Sequence, residues 1–141
     1  MSINAQENIA KENYAFTLDF KVRDYECDIQ GIVNNSVYQN YLEHTRHEFL
    51  AARGLNFAEL SQRNINLVVT RVEIDYRTPL MSSDTFWVGL SLERKSKIRG
   101  AFKQDIIRDR DQKTICNAIV HWASINEKLK PVYCPEIDDL C

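Results

Sequence analysis

One aspartate of the chain stands where a carboxylate could do chemistry. Asp28 follows an alternating stretch that begins at Phe16 and precedes a helix-like stretch that opens at Ser36. Gly31 lets the backbone turn closely between these two stretches. The N-terminus of the following helix offers unpaired N–H groups and the positive end of the helix dipole. A carboxylate near that end could attack a polarised carbonyl group or activate a water molecule beside it.

The same position also fits a purely structural aspartate. Asp is common in turns because its side chain hydrogen-bonds to nearby backbone N–H groups. On spacing alone, a loop or capping role for Asp28 is the more frequent one. The elements around it therefore have to be established before a catalytic role can be argued.

Hydrophobic periodicity predicts those elements. Alternation from Phe16 to Val22 predicts a half-buried strand. An apolar stripe at spacings of three and four predicts a helix that opens at Ser36, which has capping-box spacing to Gln39. Gly54 is a suitable helix stop. Four further strands are predicted at 66–77, 85–93, 101–108 and 114–125.

The order of one strand, one long helix and four strands predicts an α+β fold. The helix would pack on one side of a curved antiparallel sheet. One helix cannot cover both faces of five strands, so the other face must be polar or meet a partner subunit. The 141 residues fit a single domain, 1–141, with a loose N-terminal arm at 1–15 and a C-terminal tail at 128–141.

Composition excludes several other classes of protein. The net charge of -2 gives no basic face for nucleic acid, and no apolar run is long enough to span a bilayer. The stretch Met1 to Tyr14 lacks the apolar core of a signal peptide, which predicts a cytoplasmic protein. The four cysteines have no metal-ligand spacing with the three histidines, and reduced thiols are expected.

The stretch from Cys27 to Tyr38 resembles a family signature. It reads Cys-Asp-Ile-Gln-Gly-Ile-Val-Asn-Asn-Ser-Val-Tyr. This is similar to the signature of the 4-hydroxybenzoyl-CoA thioesterase family: Thr or Cys, Asp, two variable residues, Gly, Ile or Val, Val, and an aromatic residue shortly after. The order of elements resembles that family from Phe16 to Asn126. The resemblance implies a hotdog fold, a curved five-stranded antiparallel sheet wrapped around one long helix, assembled as a homodimer or homotetramer.

The resemblance also implies a reaction and a set of site residues. Asp28 would be the catalytic carboxylate, acting as nucleophile or as general base. The backbone N–H of Asn35 would polarise the thioester carbonyl, and Asn34 and Tyr38 would line the same pocket. A basic run matches one that family members place near the CoA phosphates, although its composition alone would predict only a solvated turn. This run comprises Arg94, Lys95 and Ser96.

The implied function is hydrolysis of an acyl-CoA thioester to free acid and CoA. No metal or redox cofactor is implied, and CoA enters only as part of the substrate. Two departures from the pattern bear on the substrate. Asn35 stands where many relatives have His, Phe or Tyr. Plant acyl-carrier-protein (ACP) thioesterases also resemble this segment, but they carry Asn and His where this chain has Gln30 and Ile32. This difference favours CoA substrates.

Other residues and other functions remain as alternatives. Glu43 matches the carboxylate of a different hotdog subgroup, or is a surface residue paired with His47 one turn on. Cys27 is a nucleophile candidate without an evident His partner, and His121 fits an ordinary strand histidine. The rival functions are a non-catalytic acyl-CoA or acyl-ACP binding module, an acyl-ACP thioesterase, a scaffold, and a dehydratase or hydratase. The last of these would need a His near Asp28, and the sequence has none there.

Overall fold

The structure, a computed structural model, describes residues 9–141 and contains the predicted helix and five strands. The long helix α1 and the five strands follow the predicted order, and a short second helix, α2, stands between α1 and β2. The described residues also contain three short 3-10 segments outside these helices and strands. The bounds are β1 Phe16–Lys21, α1 Asn35–Ala52, α2 Phe57–Gln62, β2 Asn66–Tyr76, β3 Thr85–Arg94, β4 Arg99–Arg108 and β5 Thr114–Ile125.

The five strands form one antiparallel sheet with the order β1-β3-β4-β5-β2. Strands β3, β4 and β5 are neighbours in sequence and in space, as short turns predict. Strand β2 instead pairs with β5, and β1 pairs with β3, so these two strands form the edges of the sheet. The predicted α+β architecture is confirmed.

Helix α1 lies against the inner face of this sheet. Its buried residues recur at helical spacing and form the apolar stripe that the sequence predicts; they are Tyr38, Tyr41, Leu42, Thr45, Phe49 and Leu50. The helix begins at Asn35 with Asn34 as its N-cap, so Ser36 lies in the first turn and the predicted capping box is not formed. Gly54, with φ +77°, follows the end of the helix, as predicted.

The core divides into two clusters along α1. The cluster beside the first half of the helix contains Tyr38, Leu42, Phe86 and Ile106, and Val33 from the segment before the helix joins it. The cluster beside the second half contains Phe49, Phe102 and Trp122 together with residues of α2 and of the C-terminal segment. The segment that carries Asp28 is therefore anchored in the core at Val33.

Both chain ends pack against the sheet where the structure describes them. The first eight residues of the predicted loose arm, 1–15, lie outside the described residues. In the remainder, the Tyr14 hydroxyl donates to Asp105 Oδ2 at 2.7 Å and the Tyr14 ring lies edge-on to Trp87. In the predicted tail, 128–141, Cys134 and Ile137 are buried in the second core cluster.

Two further findings concern residues 9–141. No helix within residues 9–141 is long and apolar enough to cross a membrane. The four cysteines are free thiols, in agreement with the prediction.

Candidate functional site

Asp28 lies in a tight turn formed by residues 27–33, here called the Asp28 turn. Cys27 pairs with Val33 across the turn, and the Asp28 N–H donates to the Ile32 carbonyl at 2.8 Å. Gly31 has φ +81° and donates its N–H to the Asp28 carbonyl at 3.0 Å. This left-handed conformation strains any residue with a Cβ, which explains the glycine of the motif.

The Asp28 side chain is exposed and is oriented by its own turn. Its Oδ1 atom accepts the Gln30 N–H at 2.8 Å and the Ile32 N–H at 3.4 Å. No partner for Oδ2 is found within residues 9–141, so that oxygen faces solvent. The loop role and the catalytic role are thus compatible, because one oxygen holds the turn and the other remains available.

The Asp28 turn is followed directly by the start of α1. Asn34 N–H donates to the Glu26 carbonyl at 3.1 Å, and Val33 N–H donates to the Leu80 carbonyl at 2.9 Å. Asn34 is extended, with φ -62° and ψ 142°, and its side chain makes no capping bond. In the described part of the chain, no acceptor is found for the Asn35 N–H. This leaves a donor of the first helical turn free to meet a ligand oxygen.

Tyr38 lies one turn further into α1, beneath the surface. Its side chain is only 3% exposed, and its hydroxyl accepts the Leu80 N–H at 3.0 Å. Burial is the main cause that raises its pKa. The ring of Tyr76, from the end of β2, lies 5.5 Å from the Tyr38 ring. Tyr76 is half exposed and stands beside Asn35. Sequence patterning did not single out Tyr76, because this contact joins residues 41 positions apart.

The basic run is divided between a buried and an exposed part. The Arg94 guanidinium donates to the carbonyls of Ser96, Lys97 and Cys134 at 2.7–2.9 Å. Its Nε atom lies 2.5 Å from Asp138, although without hydrogen-bond geometry. Arg94 therefore ties the β3–β4 turn to the C-terminal segment. Lys95 and Ser96 are exposed, and the Ser96 hydroxyl accepts the Arg99 N–H at 3.1 Å.

The alternative residues occupy less favourable positions for chemistry. Glu43 is exposed and lies 3.9 Å from His47, the pairing that helical spacing predicts. Cys27 packs against the core, and burial together with neighbouring carboxylates raises the pKa of its thiol, which disfavours the nucleophilic thiolate. His121 bonds to Glu73 on the opposite face of the sheet from α1. Within residues 9–141, no cluster of His, Cys, Asp or Glu could hold a metal ion.

Within residues 9–141, grooves lie along both flanks of α1. One, of about 720 Å³, lies on the β1 side and is lined by Phe20, Tyr41 and His44. The Tyr41 hydroxyl there donates to Glu26 at 2.8 Å. The other groove, of about 270 Å³, lies on the β2 side. Asp28 lines neither groove, so its carboxylate stands open to solvent in a single chain.

A family model decides how this arrangement is classified. The model of the thioesterase-like superfamily matches residues 22–136, which include the Asp28 turn, the helix and four of the strands. The chain belongs to the thioesterase-like superfamily. The narrower 4-hydroxybenzoyl-CoA thioesterase family, which the motif implies, stays a prediction.

Relatives of this superfamily member differ in what their names say they act on. The chain is 37% identical over 120 residues to the chloroplastic acyl-acyl carrier protein thioesterase ATL3 of Arabidopsis thaliana, covering 84% of the chain and 62% of that protein. It is 29% identical over 108 residues to the long-chain acyl-CoA thioesterase FadM of Escherichia coli, covering 77% and 81%. The chain spans less than two thirds of the length of the Arabidopsis relative.

Solved structures share the fold of this superfamily member. The 1,4-dihydroxy-2-naphthoyl-CoA thioesterase Slr0204 of Synechocystis has a TM-score of 0.81 at 19% identity, covering 89% of this chain and 96% of that one. A hypothetical protein of Aquifex aeolicus has a TM-score of 0.80 at 26% identity, covering 89% and 99%. These likenesses confirm the predicted hotdog fold.

Proposed function

We propose that the protein is an acyl-CoA thioesterase in which Asp28 is the catalytic carboxylate and the Asn35 N–H polarises the thioester carbonyl. One observation carries the proposal. In this member of the thioesterase-like superfamily, the Asp28 turn directly precedes the start of α1. One oxygen of the Asp28 carboxylate and the N–H of Asn35 have no hydrogen-bond partner within residues 9–141. Asn34 and Tyr76 flank that helix start, and Tyr38 forms the floor beneath it.

The chemistry balances by either of two routes. As general base, Asp28 accepts a proton from water while the water oxygen bonds to the carbonyl carbon; the C–S bond then breaks and the proton passes to the CoA thiolate. As nucleophile, a carboxylate oxygen forms a mixed anhydride and expels the CoA thiolate, and water then releases the acid and restores Asp28. Both routes need the ionised form of the Asp28 carboxylate.

The Asn35 N–H can be tested without disturbing the helix. Proline is favoured at the first helical position, and Asn34 already has the extended backbone that precedes proline. Asn35→Pro therefore removes only the N–H donor and the amide side chain, and Asn35→Ala removes the side chain alone. We expect Asn35→Pro to lower kcat by about 10²- to 10³-fold, as loss of an oxyanion donor does. Near-equal kcat in the two variants would remove this N–H from the mechanism.

The substrate carrier is tested by a direct comparison. Release of free thiol is measured with acyl-CoA and acyl-ACP substrates that carry the same acyl chains. We expect turnover of acyl-CoA, and turnover that survives a chelator, because the proposed mechanism uses no metal or redox cofactor. Faster turnover of acyl-ACP would favour the second candidate, an acyl-ACP thioesterase, which the 37% identity to the Arabidopsis protein supports. Binding without turnover of either would favour a non-catalytic acyl-binding module.

We further propose that the active protein is a homo-oligomer, at least a dimer, with each site completed by a second chain. Strand β2 is an edge strand with apolar side chains on its exposed part, including Val69, Val72 and Tyr76. Ile29, at the tip of the Asp28 turn, is fully exposed. A sheet edge and an apolar surface of this kind are costly to leave in water.

Light scattering at micromolar concentration tests the assembly. We expect the wild-type protein to be larger than a monomer, and Val69→Lys to shift it towards the monomer. Leu129→Lys is a matched control, because Leu129 is also exposed but lies outside the sheet and the Asp28 turn. A monomeric wild-type protein would contradict the proposal.

A further inference from the structure

One flank of α1 leads from the proposed oxyanion donor into the groove on its β2 side. Asn35, Gln39, Glu43, Arg46 and Leu50 follow one another at spacings of four, four, three and four residues. Residues at such spacings line one face of a helix. The groove, here called the β2-side groove, includes Glu43, Arg46 and Leu50 in its lining, and a smaller cavity of about 40 Å³ includes Gln39, Glu43 and Arg46.

The opposite wall of the β2-side groove is apolar. Val72 and Val120 line the smaller cavity, and most of the side chains that line the β2-side groove are hydrophobic. These include Phe57, Leu67, Phe102 and Trp122. A channel with an apolar wall and a few polar groups is the usual form of a small-molecule site. Its walls suit an acyl chain that enters from the Asn35 end.

Arg46 stands at the junction of the two cavities and is held there by a buried amide. Gln104 is fully buried; its Nε2 donates to the Leu42 carbonyl at 3.0 Å, and its Oε1 accepts from Arg46 Nη1 at 3.1 Å. The first of these bonds fixes the orientation of the amide, so the guanidinium is positioned from the sheet side. No carboxylate lies within salt-bridge distance of Arg46 in the stretch from residue 9 to residue 141.

A half-buried guanidinium without a carboxylate partner is unusual. Burial lowers the pKa of Arg46, and the nearby charge of Glu43 offsets this effect only in part. Glu43 is directed to His47 instead. A buried charge is costly unless a partner satisfies it. Within residues 9–141, Arg46 makes one side-chain hydrogen bond, to Gln104, so its remaining N–H donors can bind an anionic oxygen of a ligand.

We propose that Arg46 selects acyl groups that carry a carboxylate at the end remote from the thioester. The proposal rests on the proposed thioesterase function, because it takes Asn35 as the site of the thioester carbonyl. Positions 35 and 46 are eleven residues apart, which is about 16 Å along a helix that rises 1.5 Å per residue. The acyl chain would thus span about three helical turns, with Gln104 acting as a positioning residue for Arg46.

The test compares matched pairs of substrates. Each pair consists of a straight-chain acyl-CoA of eight to fourteen carbons and the same acyl-CoA with a terminal carboxylate. The ratio of kcat/KM within each pair gives the preference for the carboxylate. We expect this ratio to peak at one chain length in the wild-type protein and to fall at least tenfold in Arg46→Met. Arg46→Lys should retain part of it, because the charge remains.

A control variant and a binding measurement keep the result interpretable. Arg110→Met makes the same change at an exposed cation in the β4–β5 turn and should leave the ratio unchanged. Gln104→Leu should lower kcat/KM for the carboxylated acyl-CoA more than it lowers kcat/KM for the plain acyl-CoA, so the ratio should fall. Binding of non-hydrolysable thioether analogues, with and without the carboxylate, is measured by calorimetry and does not depend on catalysis.

The outcomes separate the two proposals. If no acyl-CoA is hydrolysed but Arg46→Met selectively weakens binding of the carboxylated thioether, the proposed function fails and the Arg46 site stands. If plain acyl-CoA is hydrolysed and both the ratio and the thioether affinities are the same in wild type and Arg46→Met, the Arg46 proposal is overturned and the function stands. A larger preference for ω-hydroxyacyl than for ω-carboxyacyl chains would also overturn the carboxylate assignment.

Discussion

Asp28 Oδ1 accepts the backbone N–H of Gln30 at 2.8 Å, so the proposed catalytic carboxylate also holds the turn that presents it. An asparagine at this position keeps a side-chain oxygen that can accept the same bond. Asp28→Asn should therefore leave the melting temperature nearly unchanged. It removes the negative charge and the basic oxygen, and kcat should fall by at least about 10²- to 10⁴-fold, the range for loss of a general base.

The measurement is kcat on the best acyl-CoA found, together with the melting temperature and the affinity for CoA. Asp19→Asn, at an exposed residue of β1 that pairs with Lys11, is the control and should retain normal turnover. If Asp28→Asn keeps kcat within about tenfold of wild type, a barrier change of at most 1.4 kcal/mol, Asp28 is only a turn residue and Glu43 becomes the next candidate.

Gly31 allows the geometry of the turn to be separated from its stability. Gly31 and Gly54 both have positive φ, of 81° and 77°, and a Cβ at either position would meet no atom within 4 Å. Alanine at each should destabilise the fold by a similar amount, about 1 kcal/mol, through backbone strain alone. Only Gly31→Ala should also lower kcat, because the left-handed backbone of Gly31 shapes the turn that orients Asp28. Equal kcat in the two variants, measured below their melting temperatures, would argue against a catalytic role for this turn.

Substitutions of Lys95 and of Arg94 in the basic run should have different effects. Lys95 is exposed, so Lys95→Ala should raise KM for acyl-CoA without changing kcat or stability if Lys95 meets the CoA phosphates. Arg94→Ala should lower the free energy of unfolding by roughly 2 kcal/mol, because it removes charge-assisted bonds to three carbonyls. Kinetics and chemical denaturation of both variants check this division. A flat KM for Lys95→Ala at low salt would make the run an ordinary solvated turn.

Acid stability should depend on Asp111. Its bidentate contact with Arg108, at 2.8 and 3.1 Å, lowers the Asp111 pKa from 3.8 to about 2. The folded-state pKa lies below the unfolded one, so the stabilisation is fully present above pH 4 and is lost as the pH falls towards 2. The difference corresponds to about 2 kcal/mol.

Unfolding free energies of wild type and Asp111→Asn between pH 2 and pH 7 check this expectation. The two curves should be separated by about 2 kcal/mol at pH 7 and converge near pH 2. Asp109→Asn, in the same turn but exposed, serves as the control and should follow the wild-type curve. A constant separation at all pH values would show that the variant loses packing and not a charge interaction.

The sequence predicted the elements better than it predicted the contacts between them. Strand β5 was predicted at 114–125 and lies at Thr114–Ile125, because alternation is a local property of the chain. The predicted start of α1 at Ser36 is one residue late. The helix begins at Asn35, and its N-cap residue Asn34 makes no side-chain capping bond of the kind that predicted a start at Ser36. Chain order did not predict the position of β2 beside β5, because β3 and β4 lie between these two strands in the sequence.

The site was predictable where function resides in a short segment, and not where it depends on distant residues. The turn from Cys27 to Val33 is local, so its glycine and aspartate stand out in the motif. The environment of Arg94 depends on Cys134, which is 40 positions away, and no local pattern distinguishes a buried arginine from a solvated one. The pairing of Arg46 with Gln104, across 58 positions, was equally invisible in the sequence.

The position of Tyr14 restricts how the sheets of two copies could stack. Its ring lies over Gly89, where a Cβ would approach ring atoms to 2.6 Å, and its hydroxyl binds Asp105 on the next strand. The Tyr14 ring thus covers part of the outer surface of β3 in its own chain. Face-to-face stacking of two such sheets over β3 would first have to expel Tyr14, so the half of the outer face formed by β5 and β2 is the more accessible stacking surface.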